Sequence, residues 1–275
     1  MSSQWQNFLR NLGEWRGSFA SLDEQGAVLN STASILTLEA DDDDRLVHFR
    51  LRRFGAEGAA GAPTSDIQQD YRSLGRQVLF FANGTFCKGT LQVAPGTVFG
   101  GEFGFVGVDR RHRLVQLHQP DGRFQNLVLI REFRAGSDAT ERPPLDPSQL
   151  LGTWRGSVAT ITADWPEPDH HDGEWIVSRN EPEQLLMRSV QGGIETGWCG
   201  RVQGSQLLLD AASPTRLQWL PDGGYHLTPL AVSHRQAFAV EAGWLQSDHQ
   251  LQRLIRCFDA SGAWQSTSLW TLARV

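Results

Sequence analysis

The chain has 275 residues, 40% of them hydrophobic, enough for one or two domains with packed cores. Its net charge of −6 excludes the basic footprint a nucleic-acid partner requires, and no run approaches the roughly 18 apolar residues of a membrane span. No basic stretch leads into an apolar one at the N-terminus, so no signal peptide is expected. Three widely spaced cysteines (Cys87, Cys199, Cys257) read as reduced small hydrophobes, with the cytoplasm as the default compartment.

In chain order, Ser2 and Ser3 can cap a short helix in which Trp5, Phe8, Leu9 and Leu12 form one apolar stripe, ended by Gly13. Short strands follow. Arg45 to Arg53 alternates, with Val47, Phe49 and Leu51 on one face and His48, Arg50 and Arg52 on the other. The segments 76–81, 114–118, 125–133, 206–209 and 266–272 have the same strand character. Turn signals such as Asn83-Gly84, Asp121-Gly122 and Ser261-Gly262 punctuate them at about 8–12 residue intervals. That spacing predicts an antiparallel meander of about eight to ten strands per half, enough to close a barrel. Phe54 to Ser65, rich in Gly and Ala, reads as a loop, and Asp41 to Asp44 as a solvated turn. Residues 135–147, with Pro143 and Pro144, read as a linker between a first unit at 1–134 and a second at 148–275. Asp146-Pro147-Ser148 opens a shorter counterpart of the first helix.

The two halves repeat each other. Gly13-Glu14-Trp15-Arg16-Gly17-Ser18 returns 139 positions later as Gly152-Thr153-Trp154-Arg155-Gly156-Ser157. Glu102-Phe103-Gly104-Phe105 meets Glu241-Ala242-Gly243-Trp244 at the same offset, and Arg113, Gly122 and Arg134 meet Arg253, Gly262 and Arg274 at 140. Such periodicity signals a duplicated unit. The expected fold is therefore all-β: two tandem antiparallel barrels, each preceded by a short helix.

A helical turn, then Gly-x-Trp opening the first strand, then a meander ending in arginine resembles the lipocalin, or calycin, pattern. The resemblance implies that the tryptophan closes the barrel floor with the terminal arginine packed across it. The pairs would be Trp15 with Arg134 and Trp154 with Arg274, structural in role, with Arg131 a rival for the first. A guanidinium over an indole gains cation–π attraction and can bond the carbonyls of the closing turn. The strings from Gln4-Trp5-Gln6-Asn7-Phe8 to Ser18, Phe99-Gly100-Gly101-Glu102-Phe103-Gly104-Phe105, and Leu129-Ile130-Arg131-Glu132 are similar to a two-barrel family of unknown function known mainly from cyanobacteria. That family is similar in fold to the phycobilin lyases, which hold a linear tetrapyrrole and deliver it to a client cysteine.

Two patterns could carry function. In each Glu-x-Gly-aromatic strand, the carboxylate shares a face with the glycine and opposes the aromatics. Inward aromatics with outward glutamates is the simpler packing, because an inward carboxylate is costly unless paired. The alternative makes Glu102 a polar anchor in a cavity, paired with Arg131 or Arg113, with Gly104 leaving room for a ligand. Eight of the ten tryptophans lie in the second half, and they either fill its core or line a site for a flat ligand. Trp198, Trp219 and Trp244 are the lining candidates there, and Phe105 and Glu241 complete the candidate ligand set. The acidic and histidine-rich stretch Asp164, Asp169, His170, His171, Asp172 and Glu174, marked as a loop by Pro166 and Pro168, lacks metal-ligand spacing. No metal or cofactor is expected. No nucleophile elbow, phosphate loop or dinucleotide fingerprint occurs, so catalytic residues stay unassigned. The only lysine, Lys88, stands beside 24 arginines.

The leading expectation is a binding protein for a hydrophobic, conjugated small molecule, tetrapyrrole-, carotenoid- or lipid-like, held in a barrel cavity. A second is a bilin lyase or isomerase/cyclase-type enzyme with Glu102 or Glu241 as acid/base. A third is an assembly or scaffold protein with filled barrels and a protein client. The oligomeric state is left open.

Overall fold

The computed structural model describes residues 3–165 and 167–275; Ser2 and Pro166, each given a part above, lie outside the described residues. Helix α1 (Gln4–Leu9) carries a capping box: the Ser3 hydroxyl accepts from Gln6 N, and Gln6 Oε1 accepts from Ser3 N. In the second half the counterpart is a 3-10 turn, Pro147–Leu150, with Asp146 in the capping role.

Nine antiparallel strands follow α1: β1 (Gly13–Leu22), β2 (Val28–Ala40), β3 (Val47–Phe54), β4 (Pro63–Tyr71), β5 (Val78–Phe80), β6 (Phe86–Gly89), β7 (Phe99–Val106), β8 (Arg110–His118) and β9 (Phe124–Arg134). Their order is β4-β3-β2-β1-β9-β8-β7-β6-β5. The β1–β9 pairing joins the two ends of the half into one curled sheet, and β4 and β5 remain its free edges. The second half has ten: β10 (Gly152–Thr162), β11 (Asp169–Glu181), β12 (Gln184–Gln191), β13 (Ile194–Gln203), β14 (Gln206–Leu209), β15 (Thr215–Trp219), β16 (Gly224–Pro229), β17 (Phe238–Ser247), β18 (Gln250–Phe258) and β19 (Trp264–Arg274). Here β10 pairs with both β11 and β19, and the barrel is closed. The chain is all-β apart from its short N-terminal helix, with one barrel shut and the other open along one side.

Two segments differ from expectation. The Gly/Ala-rich segment 54–65 is only partly loop, since it holds a 3-10 turn and β4 begins at Pro63. Asp169 to Glu174 is not loop but the start of β11, with His170 and His171 opposite Ala159 and Val158. Residues 169–172 run beyond the pairing of β11 with β12, which ends at Gly173 and Gln191, so they have β10 on one side only and stand exposed. Composition reported the exposure, not the backbone.

The repeated motif is explained by close contacts. Gly13 and Gly152 have φ of 118° and 117°, a region closed to most side chains. A Cβ at Gly17 would stand 1.9 Å from the Arg131 carbonyl oxygen, and one at Gly156 2.0 Å from that of Thr271. Glycine is what lets the first and last strands of each half approach.

The outer faces of β7–β9 and β17–β19 pack together. Phe99, Phe103, Phe105, Leu114 and Leu129 form one apolar cluster with Val240, Ala242, Trp244, Leu254 and Leu269. The contacts are reciprocal. Val93 N donates to Gly262 O and Val232 N to Gly122 O; Trp264 N donates to Leu91 O and Phe124 N to Leu230 O. Phe99 meets its counterpart Phe238 at 5.4 Å, and Phe105 meets Trp244 at 6.4 Å. Counterparts touch each other only along a two-fold axis, so these rings mark a pseudo-dyad between the barrels.

Candidate functional site

At each barrel floor an indole lies under a guanidinium. Arg134 Cζ is 4.3 Å from the Trp15 ring centre, and Arg274 Cζ is 4.2 Å from that of Trp154. Trp15 Nε1 donates to Asn11 O and Trp154 Nε1 to Leu150 O, each four residues back. Arg134 donates to Leu12 O and Val108 O, and Arg274 to Leu151 O, Gln149 O and Asp248 O. Arg131 takes no part, for it points outward and pairs with Glu141 at 2.8 Å.

Above the floors the glutamates face inward and the aromatics outward, reversing the simpler packing. Phe105 and Trp244 are therefore buried between the barrels and not in either interior. The inward carboxylates are tolerated because each meets an arginine. Arg113 Nη1 donates to Glu102 at 2.7 Å, while its Nε and Nη2 grip Glu132 at 3.0 and 2.9 Å. Arg253 grips Glu241 with Nε at 2.8 Å and Nη2 at 3.1 Å, and the Tyr225 hydroxyl donates to the same carboxylate at 2.6 Å. Such two-pronged guanidinium–carboxylate bonds are the strong kind. Gly104 and Gly243 do not make room for a ligand: a Cβ there would stand 2.2 Å from the Phe86 ring and 2.0 Å from that of Tyr225.

The interiors then diverge. The second is filled by Trp154, Trp175, Trp219, Tyr225, Trp270 and surrounding leucines. Trp219 is part of that packing, and Trp198 sits 45% exposed on β13, so the tryptophan set does not converge on one cavity. The first barrel holds a cavity of about 740 Å³ that reaches the gap between β4 and β5. Phe8, Phe19, Leu36, Leu51, Phe80 and Phe86 supply apolar wall; Glu102, Arg111 and Arg113 supply charge.

Of the sequence-derived set, then, only Glu102 and Arg113 share this cavity. Arg111 and Glu132 were missed, although alternation along β8 puts Arg111 on the face of Arg113. Glu132 was legible too, as a charged residue where the second copy has Leu272. Among the described residues no group of three or more His, Cys, Asp or Glu is placed to hold a metal ion.

Fold and site together define an all-β protein of paired antiparallel barrels, one closed and filled, the other open-sided and hollow. The chain belongs to the DUF3598 family: a crystal structure of a family member of unknown function from Nostoc punctiforme is 38% identical, covers 100% of both chains and superposes with a TM-score of 0.92. Residues 1–137 match the family model described as "Domain of unknown function (DUF3598), N-terminal". Residues 141–275 match "Biogenesis factor required for ATP synthase 1, C-terminal domain". An S-type phycobiliprotein lyase from Guillardia theta is 13% identical, over 47% of this chain and 90% of its own, with a TM-score of 0.38. No curated protein matches the chain.

Proposed function

We propose that the protein binds one apolar small molecule inside its first barrel. The observation that carries this reading is the 740 Å³ cavity, with aromatic and aliphatic walls and a few convergent polar groups. Ligand sites typically span about 300–1,000 Å³ with that kind of lining. Conjugated, tetrapyrrole-, carotenoid- or lipid-like molecules suit the walls, and the free edges of β4 and β5 flank the entry. Three unpaired cysteines fit a reducing compartment, and a cytoplasmic site of action is part of the proposal. The test is titration of the purified, delipidated protein with retinol, read by retinol fluorescence. Saturable one-to-one binding, weakened by Leu51→Trp, is the expected result; no binding would refute it.

A second reading follows from the filled second barrel and the family description matched by residues 141–275. In it that half is a docking body through which the protein acts as an assembly factor with an ATP synthase client. Recovery of ATP synthase subunits with the tagged protein from its native cells, lost when residues 141–275 are removed, would favour it. The enzyme reading draws no such support. Both oxygens of Glu241 and one of Glu102 are committed to arginine.

A further inference from the structure

β4 is an edge that the chain's own strands leave uncovered. Every pairing round the nine-stranded sheet is antiparallel. With an odd number of strands, its two rims, β4 and β5, therefore run the same way. Parallel neighbours need a crossover of about a dozen residues or more, and only residues 72–77 join Tyr71 to Val78. The seam does not shut on itself. Among the described residues, the backbone of 64–70 bonds to β3 alone. In the second barrel the corresponding strand, β13, is covered along Gly200–Gln203 by β14.

The edge also lacks the usual protection. Exposed edges are commonly blunted by lysine, by a bulge or by shortness. β4 has nine residues, no lysine or arginine, and an unbroken register with β3 from Ser65 to Tyr71. Ile67 lies opposite Leu51, which lines the cavity, so it faces inward. It is nonetheless 48% exposed, because no strand stands beside it. On the outer face, Asp66 pairs with Arg50 at 2.7 Å and Asp70 with His48 at 2.8 Å, both partners lying on β3. The other flank of each aspartate faces the seam. Glu174 on β11 shows such a carboxylate flanked on both sides: it meets Arg155 of β10 at 2.7 Å and Arg188 of β12 at 3.5 Å.

We propose that β4 is the docking edge for an extended segment of a partner protein, added antiparallel to it. The segment's apolar side chains face inward beside Ile67, and its lysines or arginines face outward opposite Asp66 and Asp70. Main-chain bonds to the free edge supply affinity, and the alternating side chains supply selectivity. Opposite charges across a strand pair are favourable and like charges are not. The net charge of −6 draws a basic partner from longer range. A second copy fits less well, since β4 paired with itself gathers Asp66 and Asp70 of both chains on one outer face. This docking does not depend on what fills the cavity.

The probe is an acetylated, fluorescein-labelled peptide of alternating valine and lysine, titrated into the full-length protein at pH 7.5 and read by fluorescence anisotropy. Saturable binding is expected, at least about tenfold tighter than that of the valine–glutamate peptide, because two exposed ion pairs are exchanged for two repulsions. Hydrogen exchange read by mass spectrometry should slow at residues 64–70. Two further peptides carry N-methyl groups on the valines or on the lysines, and at least one should lose binding, since each blocks the main-chain donors of one edge. Asp66→Asn combined with Asp70→Asn should narrow the preference for lysine. No saturable binding, protection that falls outside 64–70, or full binding by both methylated peptides would overturn the docking edge. Equal binding of the glutamate peptide would overturn the basic partner. A dimer in light scattering, with 64–70 already protected before peptide is added, would make a second copy the occupant and overturn the proposal. The native-protein comparisons decide the matter even if the double variant fails to fold.

Discussion

Glu132 and Leu272 occupy the same place in the two barrels, one opposite Gly17 on β1, the other opposite Gly156 on β10. The substitution travels with its cross-strand neighbour, since Arg111 faces Glu132 where Leu251 faces Leu272. One barrel thus keeps a charged inner wall beside a hollow, and the other closes over leucine and tryptophan. A buried carboxylate between two guanidiniums and a buried leucine pair are each self-consistent, and mixtures of them are not.

Replacing Glu132 alone should therefore be severe. Glu132→Leu takes away the ion-pair partner of Arg111 and leaves Arg113 with only Glu102, a poorly compensated buried charge costing about 3–5 kcal/mol. Arg111→Leu combined with Glu132→Leu recreates the second-barrel pair and should recover a large part of that loss. Thermal unfolding of the three proteins measures it. A double variant less stable than Glu132→Leu would contradict the argument.

The floor arginines give a second test. Arg134→Met and Arg274→Met each remove a guanidinium stacked about 4 Å over an indole, together with its bonds to backbone carbonyls. The expected cost is about 2–4 kcal/mol per site. Lysine should recover little, because a point ammonium cannot cover the ring and span those carbonyls at once. Urea unfolding followed by tryptophan emission checks both. Methionine variants as stable as the parent would assign the floor's stability to the indole alone.

Much of this architecture could be read from the chain because it is written locally. Gly13-x-Trp15 and its copy specify a turn, a plug and a strand start within a few residues, and the turn dipeptides space the meander. What strand parity could not decide was which face of Glu102-x-Gly104 looks inward. Parity ties Glu102 to Gly104 and Phe103 to Phe105, yet an isolated barrel would bury the aromatics. Only a second barrel against the outer wall gives Phe103, Phe105 and Trp244 a dry place outside, and that is a fact about packing between halves. The open seam of the first barrel was hidden for a related reason. β4 has strand alternation but no partner beyond it, and pairing across a whole half leaves no local signature.

Gly104 and Gly243 carry the third prediction. Each lies under an aromatic ring of the neighbouring strand, Phe86 or Tyr225, at distances no Cβ could tolerate. Alanine must displace the ring, and overpacking of this kind costs about 1–3 kcal/mol. Gly243→Ala should be the worse, because moving Tyr225 also breaks its 2.6 Å bond to Glu241. Phe86→Leu should relieve Gly104→Ala. Melting temperatures of the three variants test the order, and a neutral Gly243→Ala would show that the ring yields freely.

Acid should loosen the seam between the barrels. His112, His118 and His226 are fully buried on the outer walls that face each other. His112 Nδ1 is 3.1 Å from Asp222 and stacks on Trp244 at 5.6 Å; His118 Nε2 meets Pro229 O at 3.1 Å; His226 Nε2 meets Gln218 Oε1 at 3.0 Å. Burial is the largest influence on all three and lowers each pKa. For His226 the nearby Arg216 and His118 add to it and bring the value to about 3. Asp222 opposes the shift at His112, as the Pro229 carbonyl does at His118. With folded values below the unfolded value of about 6.5, the unfolded chain takes up protons first as pH falls. The stability these neutral imidazoles contribute is thus fully present above about pH 6.5 and is lost on descent toward their folded values. Each histidine accounts for up to about 1.4 kcal/mol per pH unit across that window. Urea unfolding between pH 7.5 and 5 should show stability nearly level at first and then falling steeply. His226→Gln should flatten the fall by about one proton. A profile level from pH 7 to 5, or a slope unchanged in His226→Gln, would show that these imidazoles protonate within the fold without penalty.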